Sequence, residues 1–596
     1  MLTLGRSRPV IFYLLLVAAG LFTFANAVGN PFVHDDLFLI VADNAFSLRD
    51  IFLNPSSLPQ LLPGMKGYYR PVLSLVYALE FRLFHLHAFA YHFFNILIHV
   101  VNGLLVFALL RRMTDRKMLS WLVALGFIVH PVQSEAVASV AGLSNLLFVF
   151  FCLLSFGAYM RIGIKAAGQG RSAAILGAVC FFVLALLSKE QAAFLPGLLL
   201  VYEAALAGRK PVPRTVQIFR WAGMVLVLCG YLLWRQVVLG EALAPLLRYP
   251  QELWLRVMAI PRTLLMYGRI MIFPADLHYY RSIDILQPSG SSFVVLLLIL
   301  AGIGLFVRRL EPAKARLCVF GLGWFFVGLL PTLNILPLIN EYSLISNFEH
   351  FLYLPLAGFL LFAFVVVGQG LDILLKDRAR SGQIVMCALV ISVWMGLTAY
   401  QNTFWRGEVP LFERTLKYQK NFGRARLLLG KAYYYQQQYD RAITEFDRAI
   451  AIMNGYLQKS RSAQANRIYR EYLKEAYFSQ AHCWEQKGDP VRAIDRYRRA
   501  IEADPSDSRI YNNLGGLYLK QNDTVAARNL FLQAQSRNPD DLHSKANLAV
   551  CYIQMQDFVK ARNLLEEVLA RDPQFPFARQ NLEQLRKQMQ GEQNRR

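Results

Sequence analysis

The seven cysteines contain no CxxC pair and no metal-ligand spacing, so neither a disulfide framework nor a zinc site is expected. Cys152, Cys180, Cys229, Cys318 and Cys387 fall inside apolar runs, and Cys483 and Cys551 read as packed repeat positions. Charge is scarce too. Charged residues are 17% of the 596 and hydrophobic ones 55%, a balance that excludes an ordinary soluble protein and points to membrane spans. A net charge of +23 would suit nucleic acid, but the basic residues of the first half cluster between apolar runs, which is a pattern of membrane topology. The spans show no internal repeat and no matched pair of Gly/Pro-broken segments, so the main sequence sign of a transporter is missing.

What is present divides in two. Residues 1–401 carry long uncharged runs such as "FVVLLLILAGIGLFV", and from residue 402 the chain turns polar. Runs near spanning length lie at 10–28, 91–110, 118–133, 143–161, 172–188, 190–207, 217–238, 293–308, 315–332, 350–374 and 383–401, which predicts an all-α bundle of about 11 spans. The run from Val10 to Ala27 has spanning length despite Ala25-x-Ala27, so it reads as an uncleaved first helix.

With the first residues inside, the short inner connections carry eighteen basic residues: Arg6 and Arg8; Arg111, Arg112, Arg116 and Lys117; Lys165 and Arg171; Arg209, Lys210 and Arg214; Arg308, Arg309, Lys314 and Arg316; Lys376, Arg378 and Arg380. The short outer connections, 134–142, 189 and 333–349, hold one Lys and no Arg. This asymmetry puts the N-terminus in the cytoplasm and the loops 28–90 and 239–292 outside, together with the polar second half. A bacterial inner membrane with the second half in the periplasm fits, and an endoplasmic reticulum with a luminal domain has the same topology. Within the second loop, "LWLRVMAIPRTLLMYGRIMIF" carries Arg256, Arg262, Arg269 and Pro261, and reads as an interfacial or re-entrant helix.

The second half repeats. Ala493, Ala527 and Ala561 are spaced by 34, as are Pro505, Pro539 and Pro573, and small-aromatic pairs precede them at Ala481/Trp484, Gly515/Tyr518 and Ala549/Tyr552. A fourth copy has Gly430, Tyr433, Ala442, Phe446 and Ala449 at the same offsets, with about 17 extra residues after it. This is the tetratricopeptide signature. It predicts an α-solenoid over 402–596, with repeats near 423–456, 474–507, 508–541 and 542–575 and a closing helix at 576–590. Such a surface binds a protein or peptide; a plain spacer is the alternative.

Polar groups collect on the outer side. Asp35 and Asp36 in "VHDDLF" follow the first run, and an acid pair there also reads as a merely solvated turn. His92, Asn95, His99 and Asn102 share one helix face. Asn95 and Asn102 suit helix-to-helix hydrogen bonds, and His92, nearer the outer surface, is the better candidate for lining a site. Further outer groups are Arg70, His130, Glu135, Lys189, Glu190, Asp276, His278, Arg281, Glu349 and His350. Acids, bases and arginines around one membrane face suit an anionic lipid head group: arginine contacts phosphate and a carboxylate takes a proton from an incoming hydroxyl.

"FVHDDLFLIVADN", "YYRPVLSLVYALEFRLF", "AYHFFNILIHVVNGLL", "HPVQSEAVASVAGLSNLL", "LLSKEQAAFLPGLLLVYE", "PTLNILPL" and "FLYLPLAGFLL", followed by the repeats, resemble the transmembrane and tetratricopeptide repeat-containing O-mannosyltransferases and their bacterial relatives, within the GT-C glycosyltransferases. The resemblance implies inverting transfer of a sugar, mannose in that family, from a polyprenyl-phosphate carrier to a hydroxyl acceptor such as Ser/Thr of a protein. It places the acidic pair on Asp35 and Asp36. Arg70 with Arg262, Arg269 and Arg281 would steady the leaving phosphate, and His92, Lys189, Glu190 and His350 would line its site. This chain has His34 where the family usually has an aromatic, often Trp, and Glu349-His350 where relatives often read Glu-Arg. No cofactor is implied for a monophosphate carrier; a pyrophosphate carrier would bring a divalent cation to the Asp pair. The alternative is a non-enzymatic repeat scaffold for envelope or polysaccharide assembly.

Overall fold

The computed structural model describes residues 10–36, 39–40, 51, 69–162, 169–207, 214–239, 250–282, 290–333, 346–375, 379–460, 463–575 and 577–593. Among the described residues the chain is all-α apart from two-residue strands, Arg281–Ser282 and Ser346–Asn347, which pair antiparallel. It forms two compact units, Met1–Tyr418 and Gln419–Arg596. The division falls beyond residue 402, where the sequence turns polar, because the helix Glu408–Tyr418 packs into the first unit. Leu411 and Phe412 are buried there, Arg414 donates to the carbonyls of Ala275 and Leu277, and Thr415 donates to that of Tyr279.

Among the described residues of the first unit, nine helices are long and apolar enough to cross a membrane. That is fewer than the eleven expected, for two local reasons. The run 118–133 ends as a helix at Val129, and the chain bends by 48° into Pro131–Ala138; proline has no N–H to continue the ladder and drives His130 into an extended conformation. Counting this bent pair as one span gives ten. The run 190–207 is split into a 3-10 turn at Glu190–Phe194, an α-helix at Leu195–Tyr202 and a π-helical turn at Glu203–Ala207. The arginine-bearing stretch of the second loop is one helix, Pro250–Ile272. It runs through Pro261 without a break and is not among the candidate spans.

Glycines set one close crossing. A Cβ on Gly358 would stand 2.6 Å from the Gly321 carbonyl oxygen, and one on Gly321 would stand 2.7 Å from that of Gly358, so the spans Pro312–Leu333 and Pro355–Leu374 meet backbone to backbone, as small residues permit in lipid. The polar face of Ala88–Thr114 holds other helices by hydrogen bonds. Asn95 donates to the Ser139 carbonyl (2.8 Å), Asn102 to that of Leu146 (3.0 Å), and His99 sits between the Tyr353 hydroxyl (2.8 Å) and the Ile128 carbonyl (2.9 Å).

The second unit is a row of helix pairs: Gly423–Tyr435 with Tyr439–Lys459, Ala463–Gln486 with Pro490–Ala503, Ser508–Lys520 with Thr524–Arg537, and Leu542–Gln554 with Phe558–Arg571, followed by Ala578–Gln593. Ala442, Ala493, Ala527 and Ala561 are fully buried between the paired helices. Gln437, Gly488, Asn522 and Gln556 each take positive φ at the turn inside a pair, and Asp489, Asp523 and Asp557 cap the helix that follows.

Candidate active site

The two acids of "VHDDLF" have different fates. Asp36 is buried, 1% exposed. Its Oδ2 accepts from the Val33 amide (3.0 Å), and its Oδ1 accepts from the Ala141 amide (2.7 Å) and the Ser139 hydroxyl (3.2 Å). The carboxylate therefore seats the loop on the turn Ser139–Ala141. Burial pushes its pKa up to about 6 against those hydrogen bonds, which pull it down. Asp35 keeps 40% of its side chain exposed, with His34 Nε2 3.4 Å from one oxygen. His34 adopts a left-handed backbone (φ 57°), which turns successive side chains of the loop apart, and its ring packs edge-on against Tyr279 and Phe412.

Behind this loop lies a buried network of charge. Arg70, at the start of the helix Pro71–Phe84, grips Glu190 with two hydrogen bonds, Nε to Oε2 at 3.0 Å and Nη2 to Oε1 at 2.6 Å. Burial would raise the Glu190 carboxyl, but Arg70, with Arg235 and Lys189, outweighs it and holds the pKa near 2. Lys189 donates to Asn145 Oδ1 (2.7 Å); burial and then the Arg70 charge bring it down to about 7, with Glu190 and Glu135 opposing. Glu135 accepts from both the backbone N–H (3.0 Å) and the ring Nδ1 (2.8 Å) of His350. Burial lowers the His350 pKa, with the Glu135 carboxylate opposing, and its Nδ1 is committed to that carboxylate.

A second arm comes from the short sheet, which brings 281 beside 347. Glu349 Oε1 accepts from Arg281 Nη2 (2.9 Å) and from the His278 amide (2.7 Å); burial pushes its carboxyl up to about 7, against the Arg281 charge. Arg281 Nη1 also lies 3.6 Å from Asp276, which is paired with Arg269. Burial would raise the Asp276 carboxyl, but hydrogen bonding from Arg269 and the charges of Arg281 and Arg269 lower it on balance.

Of the residues singled out in the sequence, the structure gathers Arg70, Lys189, Glu190, Arg269, Arg281 and His350 with Glu135, Asp276 and Glu349 in this network. It does not gather two others. His92 is 1% exposed, close to the backbone of Asn30 and Pro31, and neither of its ring nitrogens has a hydrogen-bond partner among the described residues. Arg262 is exposed on Pro250–Ile272 and bonds to no other described residue. The sequence reading missed the seat at Ser139–Ala141, Asn145 and Arg235. The first two lie inside "HPVQSEAVASVAGLSNLL", but as backbone N–H and neutral polar groups they carry no charge to single them out; Arg235 is an arginine inside an apolar run, and its cost in lipid was the available signal. Among the described residues no three His, Cys, Asp or Glu side chains gather to hold a metal ion, and the engaged oxygens of Asp36 do not fit a cation shared with Asp35.

Two tetratricopeptide-repeat family models match the C-terminal part, one at 395–456 and 451–508, the other at 486–544 and 519–585. Protein O-mannosyl-transferase TMTC3 of Mus musculus is 23% identical over 85% of this chain and 65% of its own length, and that of Homo sapiens is 23% identical over 83% and 64%. Human protein O-mannosyl-transferase TMTC4 is 32% identical over a shorter stretch, 25% of this chain and 22% of its own. The chain thus spans just under two thirds of the length of the TMTC3 relatives. Along most of its length it is similar to the protein O-mannosyl-transferases with transmembrane and tetratricopeptide repeat parts, and its C-terminal end carries tetratricopeptide repeats.

Proposed function

We propose that the chain is an inverting membrane glycosyltransferase. It moves a hexose, mannose by the names of its relatives, from a polyprenyl-phosphate carrier to a hydroxyl of an acceptor, a serine or threonine of a protein. The observation that carries this reading is the asymmetry of the acidic pair: Asp36 is spent on seating the loop, and Asp35 is left open to solvent beside it. The acceptor oxygen attacks the anomeric carbon and its proton passes to the Asp35 carboxylate. The carrier phosphate leaves from the opposite face with the bonding electron pair. Arg70 and Arg269 are each fixed by a carboxylate and each reach solvent, with 16% and 55% of the side chain exposed; they are placed to offset charge on the departing phosphate.

The charge asymmetry of the connections supports putting Asp35 and the repeats on the outer face, and a bacterial inner membrane with periplasmic repeats suits it. The repeats bind the acceptor or a partner. Mass spectrometry of O-linked hexose on envelope proteins, with and without the gene, tests the activity. Loss of hexose-bearing serine and threonine peptides on deletion is expected. An unchanged inventory would favour the scaffold reading.

A further inference from the structure

The extra residues after the first repeat lengthen two helices of the second unit. Tyr439–Lys459 has 21 residues and Ala463–Gln486 has 24, against 13 or 14 in the later pairs. The added turns are held as structure: the Tyr456 and Tyr469 rings stack at 5.0 Å and 7°. Where the early turns of Ala463–Gln486 face the turn after Ala503, they enclose an open pocket of about 580 Å³, within the range of ligand sites.

Its walls are chemically mixed. Arg467 and Arg470, one turn apart on one helix face, are exposed and bond to no other described residue. Asn466 presents an Oδ1 that is buried and has no hydrogen-bond partner. Ala503 and Pro505 supply an apolar shelf. The carboxylates in the wall are already answered: Glu471 pairs with Lys474 (2.7 Å), and Asp504 accepts from Ser506 and lies 3.4 Å from Lys474.

We infer that this pocket binds an acidic peptide segment, with Arg467 and Arg470 taking its side-chain carboxylates and Asn466 Oδ1 taking a backbone N–H. The two guanidinium groups fit anions. The orphaned acceptor and the apolar shelf match a polypeptide, which brings N–H groups and side-chain carbon along with its charge, better than they match a free anion. The inference stands apart from sugar transfer and depends on binding alone.

The full chain in detergent, titrated with a fluorescent Glu/Asp-rich nonapeptide, tests it. Arg467→Gln with Arg470→Gln should weaken binding about tenfold or more, as should replacing the peptide acids by Gln and Asn. Arg579→Gln, an exposed change elsewhere in the unit, should leave binding as in the wild type. All these changes are on the surface, so thermal unfolding should be unaltered. No binding by the wild type, equal binding by the double variant, or equal binding of the uncharged peptide would overturn the site. Displacement of the peptide by millimolar inorganic phosphate would also overturn it, because it would reduce the pocket to a simple anion site.

Discussion

At the scale of single residues, adjacent acids do different work because their neighbours differ. Asp36 carries a raised pKa in the folded state, so its protonated form favours folding. That stability is fully present below about pH 4 and is lost as pH rises through about 6. The loss amounts to about 3 kcal/mol. Asp36→Asn cannot ionise, so its melting temperature in detergent should fall less between pH 5 and pH 8 than that of the wild type; parallel curves would contradict the assignment. Glu190 shows the opposite sign. Its depressed pKa means stability present above pH 4.5 and lost only as pH falls through about 2. Arg70→Gln alone strands a buried carboxylate and should destabilise by roughly 3 kcal/mol or more. The double change Arg70→Gln, Glu190→Gln should recover most of that in thermal unfolding, while hexose transfer stays lost. The sequence displayed both acids of "VHDDLF" but not their division of labour. The seat for Asp36 is a backbone N–H and a serine hydroxyl more than a hundred residues away, and an N–H leaves no mark in a sequence.

At the scale of helices, periodicity was legible and breaks were less so. The 34-residue spacing of alanines and prolines foretold the pairs of the second unit, and the left-handed turns at Gln437, Gly488, Asn522 and Gln556 repeat with the same 51- and 34-residue offsets. The bend at His130-Pro131 and the fragmented stretch 190–207 were hidden inside apolar runs, because hydropathy registers burial and not backbone geometry. Packing at glycine gives the test. A Cβ on Gly515 would stand 2.7 Å from the Phe531 ring. Alanine at the equivalent positions 481 and 549 is accommodated, but Gly515→Val should overpack the pair and destabilise it by about 1–3 kcal/mol, read as a lowered melting temperature. Gly358→Val, against the Gly321 carbonyl, should cut the yield of folded protein. If both variants behaved as wild type, these approaches would not be load paths in the fold.

At the scale of the whole molecule, composition separated an apolar first half from a polar second, and the positive connections are the basis for the proposed orientation, which no single residue carries. The helix Glu408–Tyr418 shows where composition stops short: it is polar by content, yet it packs on the first unit through Leu411 and Phe412. With the exposed Cys180 and Cys229 replaced by serine, an impermeant thiol reagent applied from outside should modify Arg262→Cys and Val491→Cys and spare Arg309→Cys. Labelling of 262 and 491 from opposite sides would separate the arginine-bearing second loop from the repeats.

The most direct test of the central claim compares Asp35→Asn with wild type, expressed at equal level in cells lacking the gene, by mass spectrometry of hexose on serine and threonine. If Asp35 takes the acceptor proton, the variant should accumulate and melt as the wild type does, with transfer reduced at least a hundredfold. Transfer at the wild-type level by a correctly inserted Asp35→Asn protein would contradict the account.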